Sequence, residues 1–337
     1  MIDFRYHLVS IVAVFLALAI GIVIGASAIK PGVLNVLNNA SSHEQRQISQ
    51  AQATIRNLQN ELSNNQAFAQ ANAPRLLSGL LEGQPVVVVT APGADAATVN
   101  GITTALKLAG AKITTQAALQ PSFFDTSTST QNNLETLAQQ VAPSGLLLQP
   151  GANPQIAGQQ EAAQVLAAAL VTKGTDLSPD QVGIILNEFT RQGFLQLSPA
   201  SGPAAPPQAT LAVVIAPGSP PSADADPANL ALISVAEQLR LSSPSHGGVV
   251  LAGSQNGSGP GSAIDELISG STGAQLSSVD NADKEVGQIL VVQALSYLLT
   301  GHKPAAYGTG AVPSPAPTPS ATPSAAPAAA PRQSVRA

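Results

Sequence analysis

The chain has 337 residues, of which 44% are hydrophobic and 10% are charged, with a formal net charge of −5 and no cysteine. This length allows one or two globular units, and the missing cysteines exclude disulfides, thiolate metal sites and cysteine nucleophiles. Lys and Arg total only 14 and aromatic residues only 3%, so the basic stripe and stacking rings of a nucleic-acid-binding protein are absent.

The chain begins with a predicted membrane anchor, residues 1–30. Leu8–Ile29 is an uncharged apolar run of 22 residues. As a helix the run would be about 33 Å long, which matches a hydrocarbon core of about 30 Å. The length favours an uncleaved anchor. The alternative is a signal peptide cut at Ala26-Ser27-Ala28, which reads as an A-x-A site.

Charge gives only a weak indication of topology, since Arg5 precedes the run and Lys30 follows it. The stub before the helix is too short to be a domain. The simplest topology therefore keeps the stub in the cytoplasm and places the bulk of the chain outside, with a single pass through the inner membrane favoured.

Small residues recur at every fourth position inside the apolar run, so they share one face of the helix. This predicted pairing face consists of Ala13, Ala17, Gly21 and Gly25. Such a stripe lets two transmembrane helices approach closely, and Gly21 to Gly25 is a GxxxG step.

A predicted coiled-coil stalk follows over residues 31–82. Its apolar residues alternate at three- and four-residue spacing, and the seam consists of Ile48, Ala51, Ile55, Leu58 and Leu62. A lone amphipathic helix lying on the next domain would show the same stripe. Because two consecutive segments both favour pairing, we predict a parallel homodimer. The stalk helix should end near Ala73, before Pro74, or continue kinked to Leu81.

Residues 83–310 have the pattern of an α/β domain. The continuous run Val86–Val89 is typical of a strand buried on both faces, and it leads into Ala91-Pro92-Gly93 with Asp95 as a helix cap. A helix to Leu108 and a strand at Ala111–Ala117 complete the unit. The pattern returns in a strand at Leu211–Ile215, a helix at Pro227–Leu241 and a strand at Gly248–Ala252. Two such units predict a Rossmann-like three-layer αβα domain with a mostly parallel sheet.

The other predicted elements are five helices and strands in the middle and at the end of the domain, and a tail. They are helices around Leu134–Val141, Gln155–Val171 and Pro179–Gly193, a strand at Gln275–Val279, and an amphipathic helix at Asp283–Leu299. Residues 311–337 are almost entirely Pro, Ala, Ser and Thr, which predicts a disordered tail.

Motifs for chemistry are weak. The glycine-rich turn Gly253–Gly261 could cradle an anion, but it departs from GxGxxG, so a flexible surface loop is the stronger interpretation. Hydrolase elbows, zincin motifs and phosphate-binding loops are absent from the sequence, and we expect neither an enzyme nor a cofactor.

Metal ligands are equally sparse, and no metal site is assigned. The four histidines are scattered, and each is expected to be a solvated surface residue: His7, His43, His246 and His302. The acidic groups Asp224-Ala225-Asp226 and Asp280–Asp283 precede helices, so N-capping explains them without a cation.

Several segments together resemble the actinobacterial MctB family. They are Phe4–Gly25, the coiled coil after it, and Gly301-His302 with Tyr307-Gly308-Thr309-Gly310, supported by Ser277-Ser278-Val279-Asp280. The resemblance covers residues 1–310. It implies a role in copper homeostasis, by efflux or by keeping intracellular copper low, and an envelope location, which the family's name places in the outer membrane.

The same resemblance implies kinship with corynebacterial members described as envelope scaffolds in cell division. A copper carrier normally needs soft ligands, and this chain has no cysteine and only the initiator methionine. One transmembrane helix cannot enclose a channel, so transport would require an oligomer. Two hypotheses follow: a copper-homeostasis or transport protein, or a dimeric envelope scaffold that binds a protein or cell-wall partner.

Overall fold

The computed structural model describes residues 4–172, 177–198, 205–219, 226–244, 248–270 and 275–309; for residues 4–5, 26–43 and 226 only the backbone is described. The predicted tail, residues 311–337, lies outside the described residues. The chain divides into two compact units, residues 1–65 and 66–337. They are described separately below.

The first unit consists of one helix. Helix α1, Phe4–Leu77, begins here, and its segment Tyr6–Gly25 has 20 residues with a mean hydropathy of 2.9 and no buried residue. This is the one described helix that is long and apolar enough to cross a membrane. The helix continues through Pro31, although an interior proline removes one intrahelical hydrogen bond.

The end of α1 belongs to the second unit, and it lies between the two predicted ends. The helix passes Pro74 and stops at Leu77, and the Ser78 N–H donates to the Pro74 carbonyl at 3.1 Å. Leu77 and Leu81 are both completely buried. The burial of these side chains therefore extends the helix beyond the predicted break before Pro74.

The second unit is a mixed α/β domain built on a mostly parallel sheet, as predicted. Seven strands lie in the order β3-β2-β1-β4-β5-β6-β7, and only the β2–β3 pair is antiparallel. The strands are β1 Pro85–Thr90, β2 Lys112–Leu119, β3 Leu195–Ser198, β4 Leu211–Ile215, β5 Val249–Ala252, β6 Ser277–Val279 and β7 Ala306–Tyr307. The strand order reverses between β1 and β4.

The remaining helices connect these strands. They are α2 Ala96–Leu108, α3 Thr128–Val141, α4 Ala157–Leu170, α5 Pro179–Arg191, α6 Asp226–Ser242, α7 Ala263–Ser269 and α8 Glu285–Leu299. Short 3₁₀ turns occupy Pro121–Phe124 and Asn256–Ser258.

Two hydrophobic clusters share the alternating residues of β1. Val87 and Val89 belong to the cluster that contains residues of α3, α4, α5, α6 and α7. Val86 and Val88 belong to the other, with residues of α2, α8 and the end of α1. All four valines are completely buried, which confirms the predicted doubly buried strand. Each such side chain contributes about 1.5–3 kcal/mol of transfer free energy.

The structure differs from the sequence predictions for this unit at three points. Helix α3 begins at Thr128 rather than Leu134, because the Ser127 hydroxyl caps it by accepting from the Thr130 N–H. Strands β3 and β7 have only 4 and 2 residues and were not predicted. Helix α8 is not amphipathic: Val286 is its one exposed residue, since neighbouring elements cover the rest at least partly.

Candidate functional site

The carboxyl ends of the parallel strands are where open α/β sheets place their ligands, above all where the strand order reverses. Here this point lies between β1 and β4, and it is closed by the repeated turns Ala91-Pro92-Gly93 and Ala216-Pro217-Gly218, which follow these strands. The Ala91 N–H donates to the Ile215 carbonyl, and the Gly218 N–H donates to the Gly93 carbonyl, both at 2.9 Å. Backbone hydrogen bonds therefore join the two turns at the point where the strand order reverses.

Helix α2 begins directly after the first of these turns. Asp95 is its N-cap, as predicted, and the Asp95 carboxylate accepts from the Thr98 N–H at 2.9 Å and from the Thr98 hydroxyl at 3.0 Å. These hydrogen bonds, the backbone one first, lower the pKa of Asp95 below its ordinary value of 3.8.

The glycine-rich turn after β5 is packed against the same turns. Gly253, Ser254 and Gly257 are buried, so the prediction of a surface loop is wrong for this part of the turn. A Cβ at position 257 would overlap the Pro217 carbonyl oxygen, which explains the glycine there.

Amides of this turn already bind carboxylates of the chain itself. The Gln255 N–H donates to Asp283 Oδ1 and the Gly261 N–H donates to Asp265 Oδ2, each at 2.9 Å. An added phosphate would meet two negative charges in this turn, so the arrangement disfavours an anion cradle.

The carboxyl ends of β6 and β7 are joined by a buried carboxylate. Asp280 Oδ1 accepts from the Thr309 N–H at 2.7 Å, and the Asp280 N–H donates to the Tyr307 carbonyl at 3.2 Å. Gly308 between them has φ +127°, and a Cβ there would overlap the Asp280 carboxylate. Burial first, and Tyr297 second, raise the pKa of Tyr307. The structure thus brings together two segments, 277–280 and 307–309, that are far apart in the sequence.

The predicted capping role of Asp280–Asp283 is wrong. Lys284 is the N-cap residue of α8, and no side chain caps this helix. Asp283 instead accepts from Gln255 and lies 2.9 Å from the Lys284 ammonium nitrogen. Asp224 and Ala225 lie outside the described residues, as does the side chain of Asp226.

Two of the four histidine side chains are described: His302 is exposed as predicted, and His7 is uncovered in the single chain but lies within the apolar segment Tyr6–Gly25. The His302 ring stacks on Tyr297 with centroids 3.7 Å apart, and its Nδ1 lies 2.8 Å from Thr300 Oγ1. His246 and the side chain of His43 lie outside the described residues. Within the described ranges, no group of three or more His, Asp or Glu side chains could hold a metal ion.

Both predicted pairing surfaces of α1 are uncovered in the single chain. Ala13, Ala17 and Gly21 are exposed and Gly25 is half-buried, and a Cβ at either glycine would meet nothing within 4 Å. The seam is exposed as well. Ala51 is accessible, and the four large side chains are 51–58% exposed: Ile48, Ile55, Leu58 and Leu62.

One open groove of about 480 Å³ lies beside the closed turns, between the first half of α2 and strands β1, β2 and β3. We call it the amide groove, because carboxamides predominate among its polar groups: Thr90, Asn100, Gln116, Gln120, Gln196 and Ser198. The floor is apolar, with Ala91, Ala118 and Leu119. None of its lining residues, all of them described, carries an ionisable side chain.

Sequence reasoning missed the amide groove, because two of its polar residues belong to β3. The available signal was in β2 and just after it, where Gln116, Ala118 and Gln120 alternate with buried residues. Such alternation indicates a strand with one face left open.

Comparisons with known proteins agree on one family over nearly the whole chain. A family model described as "Copper transport outer membrane protein, MctB" matches residues 1–317. "Copper transporter MctB" of Mycobacterium tuberculosis (strain H37Rv) is 27% identical over 318 residues, which cover 92% of this chain and 97% of the relative. The protein of the same name in Mycobacterium leprae is 29% identical over 316 residues, with the same coverage.

Proposed function

The chain belongs to the MctB family, and we therefore propose that it serves copper homeostasis at a membrane, as an anchored protein without enzymatic activity. The family match, which extends from the first residue through the whole described α/β unit, carries this proposal. The apolar helix Tyr6–Gly25 supports the association with a membrane.

The single span limits how this chain could move copper. One helix encloses no pore, so passage of an ion through this protein requires several copies. The chain has no cysteine, and its one methionine is the first residue. Copper contacts would therefore use imidazole or carboxylate groups rather than sulfur.

Self-association is the second part of the proposal. We infer a parallel homodimer held by the small-residue face of the span and by a coiled-coil seam after it. The support is that both surfaces are exposed in the single chain, including four aliphatic side chains that are more than half exposed. Covering such a stripe with a second copy removes it from water.

The third part of the proposal concerns the type of sheet and the placement of the α/β unit relative to the membrane. We assign the sheet to a Rossmann-like architecture, supported by the strand order β3-β2-β1-β4-β5-β6, in which β3 is antiparallel. We place the α/β unit outside the cytoplasm, on an uncleaved anchor in the inner membrane. The family's name favours the outer membrane instead.

A scaffold that binds an envelope protein or the cell wall is the competing function. A scaffold requires no cluster of metal-ligating side chains, and the described residues contain none of three or more.

Copper tolerance of a deletion strain distinguishes the two functions. We expect deletion to lower copper tolerance and to raise cell-associated copper, and the wild-type gene to restore both. Zinc and detergent sensitivity are the matched controls. Unchanged copper tolerance, or equal sensitivity to all three agents, would overturn the copper function and favour the scaffold.

A variant with His7, His43, His246 and His302 all changed to alanine then tests the ligands in the same strain. Failure to complement would assign copper handling to imidazole groups. Full complementation would support a copper function that uses carboxylates.

A further inference from the structure

We propose that the amide groove binds a neutral, polyhydroxylated ligand, namely an oligosaccharide chain. The groove lies at the carboxyl ends of β1 and β2, the edge at which open α/β sheets place their ligands. Its volume of about 480 Å³ falls within the range of small-ligand sites. The proposal goes beyond the copper function and does not depend on it.

The hydrogen-bonding groups of the groove match hydroxyl groups. A carboxamide offers both donors and acceptors, as a sugar hydroxyl does. Asn100 and Gln196 come from opposite walls, α2 and β3, and neither carboxamide has a hydrogen-bond partner among the described residues. Both side chains are exposed and available to a ligand.

Two other carboxamides are oriented by the protein itself. Gln120 Nε2 donates to the Ala118 carbonyl at 3.1 Å, and Gln116 Nε2 approaches Thr103 Oγ1 at 3.4 Å. Each interaction uses a donor and leaves the carbonyl oxygen of the amide as an acceptor. The groove therefore has two carboxamides on the side of β2 that are held in place by hydrogen bonds, and two on its walls that make no hydrogen bond to the described residues.

The uncharged lining of the groove favours a neutral ligand. All described lining residues are uncharged, so an ionic ligand would lose hydration without gaining a counter-charge. A sugar fits better, because its hydroxyls face the amides while its C–H surfaces cover Ala91, Val99 and Ala118. The lining contains no aromatic ring, so we expect weak binding, with a Kd on the order of 1 mM.

The position of the groove disfavours a peptide. An extended peptide gains most of its affinity by adding to the open edge of a sheet through main-chain hydrogen bonds. Gln196 and Ser198 are instead side chains on the face of β3, in register with Ala118 and Gln116 of β2. A ligand on this face meets side-chain amides rather than a free strand edge.

Saturation-transfer NMR on the full chain tests the proposal, with chitotriose as the probe. The detergent should be lauryldimethylamine oxide, because the headgroup of a maltoside is itself a neutral oligosaccharide. An acetylated and amidated penta-alanine is the peptide arm. We expect a signal from chitotriose at about 5 mM and none from the peptide.

Paired variants locate the binding. Asn100→Ala with Gln196→Ala should reduce the chitotriose signal at least about fivefold. The matched control is Asn133→Ala with Gln140→Ala, the same chemical changes at exposed positions of α3, which should leave the signal unchanged. Ala118→Leu, which fills the floor, provides a second loss-of-binding variant if the first pair fails to fold.

Three outcomes would overturn the proposal. They are the absence of a chitotriose signal with the wild-type chain, equal signals from the groove and control pairs, and a signal from the peptide alone. The last would identify the groove as a peptide site.

Discussion

Asp280 Oδ1 accepts a 2.7 Å hydrogen bond from the backbone N–H of Thr309, and this bond holds the end of the described chain onto the sheet. Asp280 is only 8% exposed, so its carboxylate and the Thr309 N–H meet where little water reaches. Parallel β7 adds only two register pairs, which makes the side-chain contact a main attachment of this edge.

Replacing Asp280 should therefore destabilise the α/β unit. We expect Asp280→Ala to lower the free energy of unfolding by about 1–3 kcal/mol, because it leaves a partly buried N–H without a partner. Asp280→Asn keeps an acceptor oxygen and should lose less than half as much. Denaturation followed by circular dichroism measures both, and equal losses would show that the charge, rather than the hydrogen bond, is what matters.

Gly308 should be intolerant of a side chain. Its φ of +127° is unfavourable for any other residue, and a Cβ would overlap the Asp280 carboxylate, so Gly308→Ala should lower the melting temperature. Gly259 is the matched control: its φ is −70° and a Cβ there meets nothing within 4 Å. If both alanine variants melt together, the contact between 280 and 308 is not needed for stability.

Asp95 should make the stability of the α/β unit depend on pH. Because its pKa is lower in the folded chain than its ordinary 3.8, the ionised cap stabilises the fold above that pH. This stabilisation is lost as the pH falls through the folded-state pKa. Asp95→Asn, which does not titrate, should be less stable than the wild-type chain near pH 6 and approach it near pH 2.

Melting temperatures across this range test the Asp95 prediction. Thr98→Val, which removes the hydroxyl but keeps the N–H donor, should show an intermediate pH dependence. A constant difference between the Asp95→Asn and wild-type chains at all pH values would contradict the prediction.

The predicted seam can be tested with a single introduced thiol, because the chain has no cysteine of its own. In a parallel coiled coil the two copies of a seam residue face each other, so Ala51→Cys should form an intermolecular disulfide on mild oxidation. Ala53→Cys lies about 200° around the same helix and should crosslink poorly. Non-reducing electrophoresis of membranes distinguishes them, and equal yields would remove the argument for this seam.

The small-residue face of the span can be tested by adding bulk. Ala17→Leu should weaken self-association of the full chain in detergent, because the larger side chain separates the helices. Ala19→Leu makes the same change on the opposite side of the helix and should have little effect. Both positions are exposed in the single chain, so neither change disturbs intrachain packing. Analytical ultracentrifugation measures the association, and a matching loss in both variants would contradict a specific face.

Local patterns explain what the sequence predicted correctly. Val86–Val89, the two Ala-Pro-Gly turns and the Asp95 cap are each set by a few adjacent residues, and the structure confirms each of them. Strand β3 could not be found this way, because its four residues become a strand only by pairing with β2, which lies far earlier in the chain.

The amide groove escaped prediction for the same reason. Its walls come from α2 and β3, whose polar residues Asn100 and Gln196 are almost a hundred positions apart. The Asp280–Thr309 hydrogen bond also depends on the pairing of β6 with β7, which lie about thirty residues apart in the sequence. Sequence patterns identified the turns that follow the strands, but they could not indicate which part of this edge of the sheet stays open.

The position of β1 inside the sheet, between β2 and β4, has a consequence for how the chain is made. Val87 pairs with Thr115 on one side but with Ala212 on the other, so one edge of β1 is completed only after a much longer stretch of synthesis. Loop closure over such a distance is slow. Until Leu211–Ile215 is synthesised, four adjacent valines on an open strand edge form a segment prone to aggregation.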